Sequence, residues 1–288
     1  MSGENIKHYC GLFGVYNCPE AARITYLGLF ALQHRGEEAA GICTSDGKDL
    51  HLYKNRGLVG EIFQEDPILR LPGRLAIGHT RYSTTGSSTV VNAQPYKVDY
   101  SRGQVAVAHN GNLVNAQILR AELEAYGSIF GSTMDSEIFV HLMAKPSYRS
   151  TEEAVIESVK RVQGAFSLVI LNETQLFAVR DPFGFRPLCY GKLGSGFVVA
   201  SETCALDLVE ADFIREIEPG EVLVIDEKGP RSHFPFQASP TRRAYCIFEH
   251  VYFARPDSTI FGDSVALVRE KLGRRLAKEH PAKADIVV

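Results

Sequence analysis

The sequence has no tryptophan, no long apolar run and no block of basic residues. A membrane-spanning helix needs roughly 18 to 20 consecutive apolar residues, and no stretch of the chain approaches that length. Residues 1–9 also lack the apolar core of a secretory signal. Because the formal net charge is -3 and basic residues are scattered, the composition argues against nucleic acid as a main partner. These absences predict a globular cytoplasmic protein.

No two of the six cysteines form a C-x-x-C pair. The six cysteines lie at positions 10, 18, 43, 189, 204 and 246. Such wide spacing is typical of reduced cytosolic thiols and not of a disulfide framework. A cysteine with a chemical role must therefore be recognised from its neighbours.

Cys10 has the most informative neighbours, because Gly11-Leu12-Phe13-Gly14 follows it at once. A thiol attacks a carboxamide only as the thiolate, and an ordinary cysteine, with a pKa of about 8.5, is mostly protonated at neutral pH. The base can be a histidine, or the α-amino group of the cysteine itself if residues 1–9 are removed. The alternative is that Cys10 is a small buried hydrophobe in a first strand, as most free cysteines are.

Four further residues offer what a glutaminase with a terminal cysteine requires. Arg81 can bind the substrate α-carboxylate with a planar, permanently charged fork. Asp135 can accept the substrate α-ammonium group. Asn110 and Gly111 can form an oxyanion hole from a side-chain amide beside an unshielded backbone N–H.

Each of these residues also has a structural explanation that the sequence leaves open. Arg81 could form a surface ion pair, and Asp135 could cap the helix that begins near it. Asn110-Gly111 could be the turn of a hairpin. The catalytic interpretation depends on all of them occurring in one chain with Cys10.

Together the motifs resemble closely those of the class II glutamine amidotransferases of the N-terminal nucleophile type, and they span essentially the whole chain. The blocks that carry the resemblance are 10–14, Gln33-His34-Arg35-Gly36, Ala40-Gly41-Ile42, 78–86, 108–113, Asp135-Ser136-Glu137, 180–188 and 248–258. Arg81-Tyr82-Ser83 and residues 252–258 resemble the branch that opens purine biosynthesis. In that branch, ammonia from glutamine converts phosphoribosyl pyrophosphate into 5-phosphoribosylamine. Sugar-aminating relatives usually carry tryptophan in the first of these places.

The resemblance implies a mechanism and further site residues. Cys10 attacks the Tyr9 carbonyl, the ester so formed is hydrolysed, and the freed α-amine becomes the base for its own thiol. Glutamine then forms a glutamyl thioester with loss of ammonia, and water clears it. The resemblance also implies substrate binding by Gly36, His79 and Thr84.

The resemblance implies no cofactor for the glutaminase reaction. In full-length relatives Mg²⁺ is expected, and some members hold a [4Fe–4S] cluster for which Cys246 matches one ligand. Such a cluster needs four thiolates, and the other three would lie beyond this chain. The full-length protein is expected to be a homo-oligomer that binds glutamine and phosphoribosyl pyrophosphate, without a nucleic-acid or membrane partner.

The order of secondary-structure patterns predicts an α+β fold. Helices are predicted at 19–33, 114–126, 135–145, 151–163 and 261–278, and strands at 40–44, 50–54, 75–80, 105–109, 165–171, 176–179, 188–190, 197–201, 222–225 and 284–288. The resemblance sharpens this to a four-layer αββα sandwich, in which two antiparallel sheets lie between helices.

A cluster of glycine, proline and charged residues over 227–243 predicts a domain boundary. We expect a propeptide at 1–9, a glutaminase domain at 10–240, and the beginning of an incomplete α/β phosphoribosyltransferase domain at 241–288. The chain is thus expected to be C-terminally truncated while keeping the glutaminase machinery. Two rivals remain, namely an amidotransferase that aminates another acceptor and a catalytically silent binding or regulatory module with the same fold.

Overall fold

The computed structural model describes residues 9–82, 89–236 and 243–286 of the protein. Its strands are β1 (Gly11–Tyr16), β2 (Ala39–Ser45), β3 (Leu50–Arg56), β4 (Leu75–Arg81), β5 (Tyr96–Tyr100), β6 (Gly103–Leu113), β7 (Gly164–Leu171), β8 (Leu176–Arg180), β9 (Cys189–Leu193), β10 (Gly196–Ala200), β11 (Asp212–Glu216), β12 (Val222–Asp226), β13 (Gly229–His233), β14 (Thr259–Ile260) and β15 (Asp263–Ser264). One sheet has the order β11-β9-β10-β1-β4-β2-β3, and the other has the order β13-β12-β8-β7-β6-β5. The strand pairs in both sheets are antiparallel.

The helices are α1 (Ala21–Ala31), α2 (Val59–Ile62), α3 (Glu65–Leu69), α4 (Ala116–Ala125), α5 (Glu137–Met143), α6 (Thr151–Val159), α7 (Thr203–Leu208) and α8 (Val265–Glu279), with short helical turns at Gln33–Arg35, Val90–Asn92 and Glu249–Phe253. The hydroxyl of Ser150 accepts a hydrogen bond of 3.1 Å from the Glu153 N–H, which caps α6 as the sequence predicts. In the described part of the chain, no helix combines the length and the apolar composition that a membrane span requires.

Successive residues of β1 show how the layers form. Leu12 packs into the core between the two sheets, whereas its neighbour Phe13 packs into the core beneath α1 and α7. Because side chains alternate along a strand, a strand covered on both faces must be apolar at consecutive positions. A third core joins the second sheet to α4, α5 and α6. The order helix, sheet, sheet, helix confirms the predicted αββα sandwich.

Strand register brings distant motifs to one edge of the sandwich. β1 and β4 are antiparallel with Gly11 opposite Thr80, so the start of β1 lies beside the end of β4. Cys10 therefore lies next to Arg81 at that edge. The end of β6 joins them from the second sheet, because His79 Nε2 donates a hydrogen bond of 3.2 Å to the His109 carbonyl.

The predicted helices and most of the predicted strands are confirmed within one turn or a few residues. The prediction omits the central strand β1, the edge strands β5, β11 and β13, and the two-residue strands β14 and β15. The edge strands bury too little apolar surface to show a clear alternation. The strand predicted at 284–288 is wrong for residues 284–286, where the backbone is irregular because no neighbouring strand pairs with it in the described part of the chain. Residues 1–8 of the predicted propeptide and the predicted boundary near residue 240 lie outside the described residues.

Candidate active site

A pocket of about 470 Å³ opens at the edge where β1, β4 and β6 meet. Four of the predicted site residues line it together, namely Cys10, Arg81, Gly111 and Asp135. These residues are far apart in the sequence, and the two sheets bring them to one wall. The pocket therefore combines a nucleophile, a cation, a backbone N–H and an anion.

Hydrogen bonds to the backbone of Cys10 and Gly11 hold the nucleophile in place. Arg35 Nε donates a hydrogen bond of 3.1 Å to the Cys10 carbonyl, and the Gly11 N–H donates one of 3.1 Å to Thr80 Oγ1. Burial raises the pKa of the Cys10 thiol, and the Tyr82 backbone N–H and three nearby arginines only partly offset it. Because Tyr9 precedes Cys10, the Cys10 nitrogen is a peptide nitrogen and cannot act as a base. The pocket-lining thiol is therefore protonated at neutral pH until a base is supplied.

Arg81 ends β4 and is only 6% exposed, so it is not a surface ion pair. Gly36 packs directly against its backbone, because a Cβ atom at Gly36 would lie 2.5 Å from the Arg81 carbonyl carbon. Real Cβ atoms do not approach other atoms so closely. Gly36 therefore fixes the position from which the Arg81 guanidinium reaches the pocket.

Asp135 supplies the negative charge of the pocket wall. Its Oδ2 accepts a hydrogen bond of 3.0 Å from the Leu113 N–H, and its Oδ1 lies 3.4 Å from His109 Nδ1. Ser136, whose side chain forms no capping hydrogen bond, occupies the N-cap position of α5, so Asp135 is not the N-cap residue. Instead, the contacts to β6 orient the carboxylate.

Asn110 and Gly111 lie within β6, opposite Ser167 and Phe166, so the hairpin-turn explanation is wrong. Gly111 has φ of +149°, and a Cβ atom there would lie 2.0 Å from the Ala165 carbonyl oxygen. Only glycine fits this position.

The Asn110 side chain is fully buried, and neither amide atom has a hydrogen-bond partner among the described residues. An unsatisfied buried amide costs stability, and such groups are rare in native proteins. Asn110 is not among the residues that line the pocket, so a contact between its amide and the substrate stays a prediction.

The remaining predicted substrate-binding residues are placed differently. His79 is fully buried on β4, and burial lowers its pKa to about 3, so the ring is neutral. It lies behind the pocket, where it supports His109 through the bond between the sheets. A direct contact between His79 and substrate stays a prediction, and Thr84 lies outside the described residues.

Cys246 lies close to Arg186, whose Nη1 donates to its sulfur at 3.6 Å. Within residues 9–82, 89–236 and 243–286, no group of three or more His, Cys, Asp and Glu side chains is arranged to hold a metal ion. An iron–sulfur cluster needs four thiolates, so the described residues do not fit one. The assignment of Cys246 to a cluster in the full-length protein stays a prediction.

A buried charge network, which the sequence does not predict, contacts the backbone of Cys10 through Arg35. Arg35 is fully buried and donates to Glu202 at 2.5 Å and to both carboxylate oxygens of Glu249 at 2.9 Å. Burial alone would raise the pKa of Glu202, but the Arg35 charge and a hydrogen bond from His34 outweigh it and lower the pKa to about 2. Because Arg35 also binds the Cys10 carbonyl, this network fixes the backbone at the nucleophile. The only sequence signal is that Arg35 and Glu249 both lie in motif blocks.

Comparison with known proteins relates this arrangement to an enzyme family. A family described as "Glutamine amidotransferase domain" matches residues 79–208. The chain is 47% identical to the amidophosphoribosyltransferase of Methanocaldococcus jannaschii, a match covering 96% of this chain and 63% of that protein. It is 50% identical to the amidophosphoribosyltransferase of Mycobacterium tuberculosis, a match covering 98% of this chain and 54% of that protein.

Solved structures give the same relationship. The glutamine phosphoribosylpyrophosphate amidotransferase of B. subtilis superposes with a TM-score of 0.91 at 42% identity, covering 96% of this chain and 60% of that chain. The structure described as the allosteric regulatory enzyme of purine biosynthesis superposes with a TM-score of 0.92 at 42% identity, covering 96% of this chain and 59% of that chain. The chain thus spans between half and two-thirds of the length of these amidophosphoribosyltransferases.

Proposed function

We propose that the pocket hydrolyses glutamine, because residues 79–208 match a glutamine amidotransferase domain and the chain resembles amidophosphoribosyltransferases over nearly all of its length. The observation that carries the proposal is the meeting of Cys10, Arg81, Gly111 and Asp135 in one pocket. Each has the chemistry that one part of glutamine or of its tetrahedral intermediate requires.

The first step is maturation of the nucleophile. Cys10 Sγ attacks the Tyr9 carbonyl carbon, the C–N bond to Cys10 breaks, and the thiol proton passes to the freed amine. Water then hydrolyses the thioester, which releases residues 1–9 and restores the thiol. Since burial raises the pKa of that thiol, the new α-amine, with a pKa of about 7.7 to 8.0, is the base that makes it reactive.

Glutamine then binds with its carboxylate on Arg81 and its ammonium group on Asp135. The guanidinium offers paired N–H donors to a carboxylate, and the hydrogen bond from Leu113 keeps the Asp135 carboxylate facing the pocket. Binding both ends of the amino acid directs its side-chain amide towards Cys10.

The Cys10 thiolate attacks the side-chain carbonyl carbon of glutamine. The negative charge that develops on oxygen receives hydrogen bonds from Asn110 Nδ2 and the Gly111 N–H. The α-ammonium group of Cys10 gives its proton to the leaving nitrogen, and ammonia departs. Water, activated by the same amine, cleaves the glutamyl thioester to glutamate. The buried Asn110 amide supports this step, because the oxyanion of the intermediate supplies the acceptor that Asn110 Nδ2 lacks.

For the full-length protein we propose that this ammonia converts phosphoribosyl pyrophosphate into 5-phosphoribosylamine, the first step of purine biosynthesis. Its relatives' names support this acceptor. A cytoplasmic homo-oligomer that uses Mg²⁺ in the transferase half, with or without an iron–sulfur cluster at Cys246, completes the proposal. No step at the pocket depends on either metal group.

The test is the release of glutamate from glutamine by the purified chain. Cys10→Ser should abolish it, whereas Cys246→Ser, at the other half-buried cysteine, should keep it. A correctly folded wild-type chain that has lost residues 1–9 yet releases no glutamate would support the silent module instead. With the full-length protein, phosphoribosylamine formation separates this acceptor from other amidotransferase acceptors.

A further inference from the structure

We propose that Tyr9, the last residue of the segment that is removed, is a positioning residue for self-cleavage. Its ring is clamped between Tyr82 and Phe253, and this clamp holds the Tyr9–Cys10 peptide against the Cys10 thiol. The proposal rests on the maturation step above. It goes further by assigning a function to the side chain of a residue that the mature protein no longer contains.

The clamp is defined by ring geometry. The Tyr9 ring centroid lies 4.7 Å from that of Tyr82 and 4.1 Å from that of Phe253, with interplanar angles of 29° and 22°. Two rings that both stack on a third at such distances occupy its opposite faces. Tyr252 adds an edge contact at 6.5 Å. Stacked aromatic pairs contribute attraction beyond the apolar area that they bury, so Tyr9 is held firmly although it precedes the first strand.

Tyr82 holds both sides of the peptide bond that is to be cleaved. Its ring stacks on Tyr9, and its backbone N–H forms a hydrogen bond with the Cys10 sulfur. On the far side of the thiol, Arg35 Nε binds the Cys10 carbonyl. The two residues that flank the cleavage point are therefore fixed independently, one by its side chain and the other by its backbone and thiol.

This arrangement suits an intramolecular acyl shift. A sulfur–carbon bond forms as the carbon–nitrogen bond breaks, the thiol proton moves to nitrogen, and water completes the hydrolysis, so no oxidant or other reactant is needed. Such a reaction is fast only when the thiol stays close to the carbonyl carbon, at about 3 to 3.5 Å. Without the clamp, Tyr9 would rotate about its backbone bonds, and fewer chains would hold that geometry.

The partner rings also make cleavage depend on packing of a distant segment. Phe253 belongs to the turn Glu249–Phe253, and Glu249 in that turn binds Arg35. The clamp is complete only when this turn packs against the sandwich. Self-cleavage should therefore follow the docking of residues 249–253 and not precede it.

The experiment follows loss of residues 1–9 by intact mass, as a time course after cell-free synthesis. Tyr9→Ala should slow cleavage by about tenfold or more, the order expected from two lost aromatic contacts. Tyr9→Phe keeps the ring and should cleave at nearly the wild-type rate. Tyr126→Ala, which removes a tyrosine that is 85% exposed, is the matched control and should change nothing. Phe253→Leu, on the opposite side of the clamp, should also slow cleavage.

Because residues 1–9 are lost, Tyr9 variants and wild type give the same mature chain, and glutamate release per cleaved chain must be equal. Melting temperatures of the Tyr9 variants in a Cys10→Ala background, which cannot cleave, show that each is folded. Wild-type cleavage with an equal rate for Tyr9→Ala would overturn the clamp alone, and so would a Tyr9→Phe rate as slow as that of Tyr9→Ala. A wild-type chain that never cleaves would overturn the maturation step and the clamp with it.

Discussion

Replacing Asn110 with alanine should separate catalysis from stability. The oxyanion hole loses its side-chain donor, and removal of one such donor typically costs about 100- to 1000-fold in kcat. KM should change little, because Asn110 is expected to bind the developing charge and not the ground state of glutamine. Most variants of buried residues lose activity and stability together, so the sign of the stability change is informative here.

The structure predicts a stability change of unusual sign. Both amide atoms of Asn110 are buried without partners among the described residues, and each unsatisfied polar group costs about 1 to 3 kcal/mol. Alanine removes that cost and leaves a small cavity, which costs about 1 kcal/mol at most. With both unsatisfied groups removed, the free energy of unfolding should therefore rise by about 1 to 5 kcal/mol.

Steady-state glutamate release gives kcat and KM, and urea unfolding gives the stability. Asn55→Ala, at an exposed asparagine of β3, is the control and should leave both unchanged. A fall in kcat of less than about tenfold would refute the oxyanion assignment. A large fall in kcat together with a fall of several kcal/mol in the free energy of unfolding would mean that Asn110 is structural.

Three more predictions concern the residues around the pocket. Arg81→Ala should raise KM for glutamine by about 10- to 100-fold with a smaller change in kcat, because a charge-assisted hydrogen bond contributes about 1.5 to 3 kcal/mol to binding. An unchanged KM would mean that Arg81 does not bind the substrate carboxylate. Gly36→Ala should also raise KM, because its Cβ would displace the Arg81 backbone, whereas Gly60→Ala, where a Cβ would lie 4.0 Å from the Phe30 ring, should not. Glu202 has a folded-state pKa lowered to about 2, so its contribution to stability is present above pH 4.5 and is lost as the pH falls towards 2. Wild type should therefore lose about 3 kcal/mol more than Glu202→Gln over that window in urea unfolding, and parallel pH curves would contradict the pairing with Arg35.

The sequence predicts those pocket residues whose side chains have the chemistry that the reaction requires. Cys10, Arg81 and Asp135 are identified by the reaction they suit, and the pocket confirms that they meet. Buried strands are predictable for a similar reason, since runs such as β7 are apolar on both faces. Edge strands such as β13 are not, because they bury little surface and β13 even contains a proline.

What the sequence cannot predict is pairing across long separations. Arg35 and Glu249 are 214 positions apart, and neither residue carries a local sign of its partner. The same holds for the clamp, which joins Tyr9, Tyr82 and Phe253. Gly36 shows a different limit, because a motif can identify a residue as important while only the structure shows that it packs against the Arg81 backbone.

The most direct test of the central claim is the intact mass of the purified chain before and after treatment with a diazo-ketone glutamine analogue that alkylates terminal-cysteine glutaminases. We predict loss of residues 1–9 and one adduct, located on Cys10. A second version in which methionine directly precedes Cys10 bypasses self-cleavage and should take the same adduct. Retention of residues 1–9 without an adduct, together with no adduct on that second version, would contradict the assignment of Cys10 as the nucleophile.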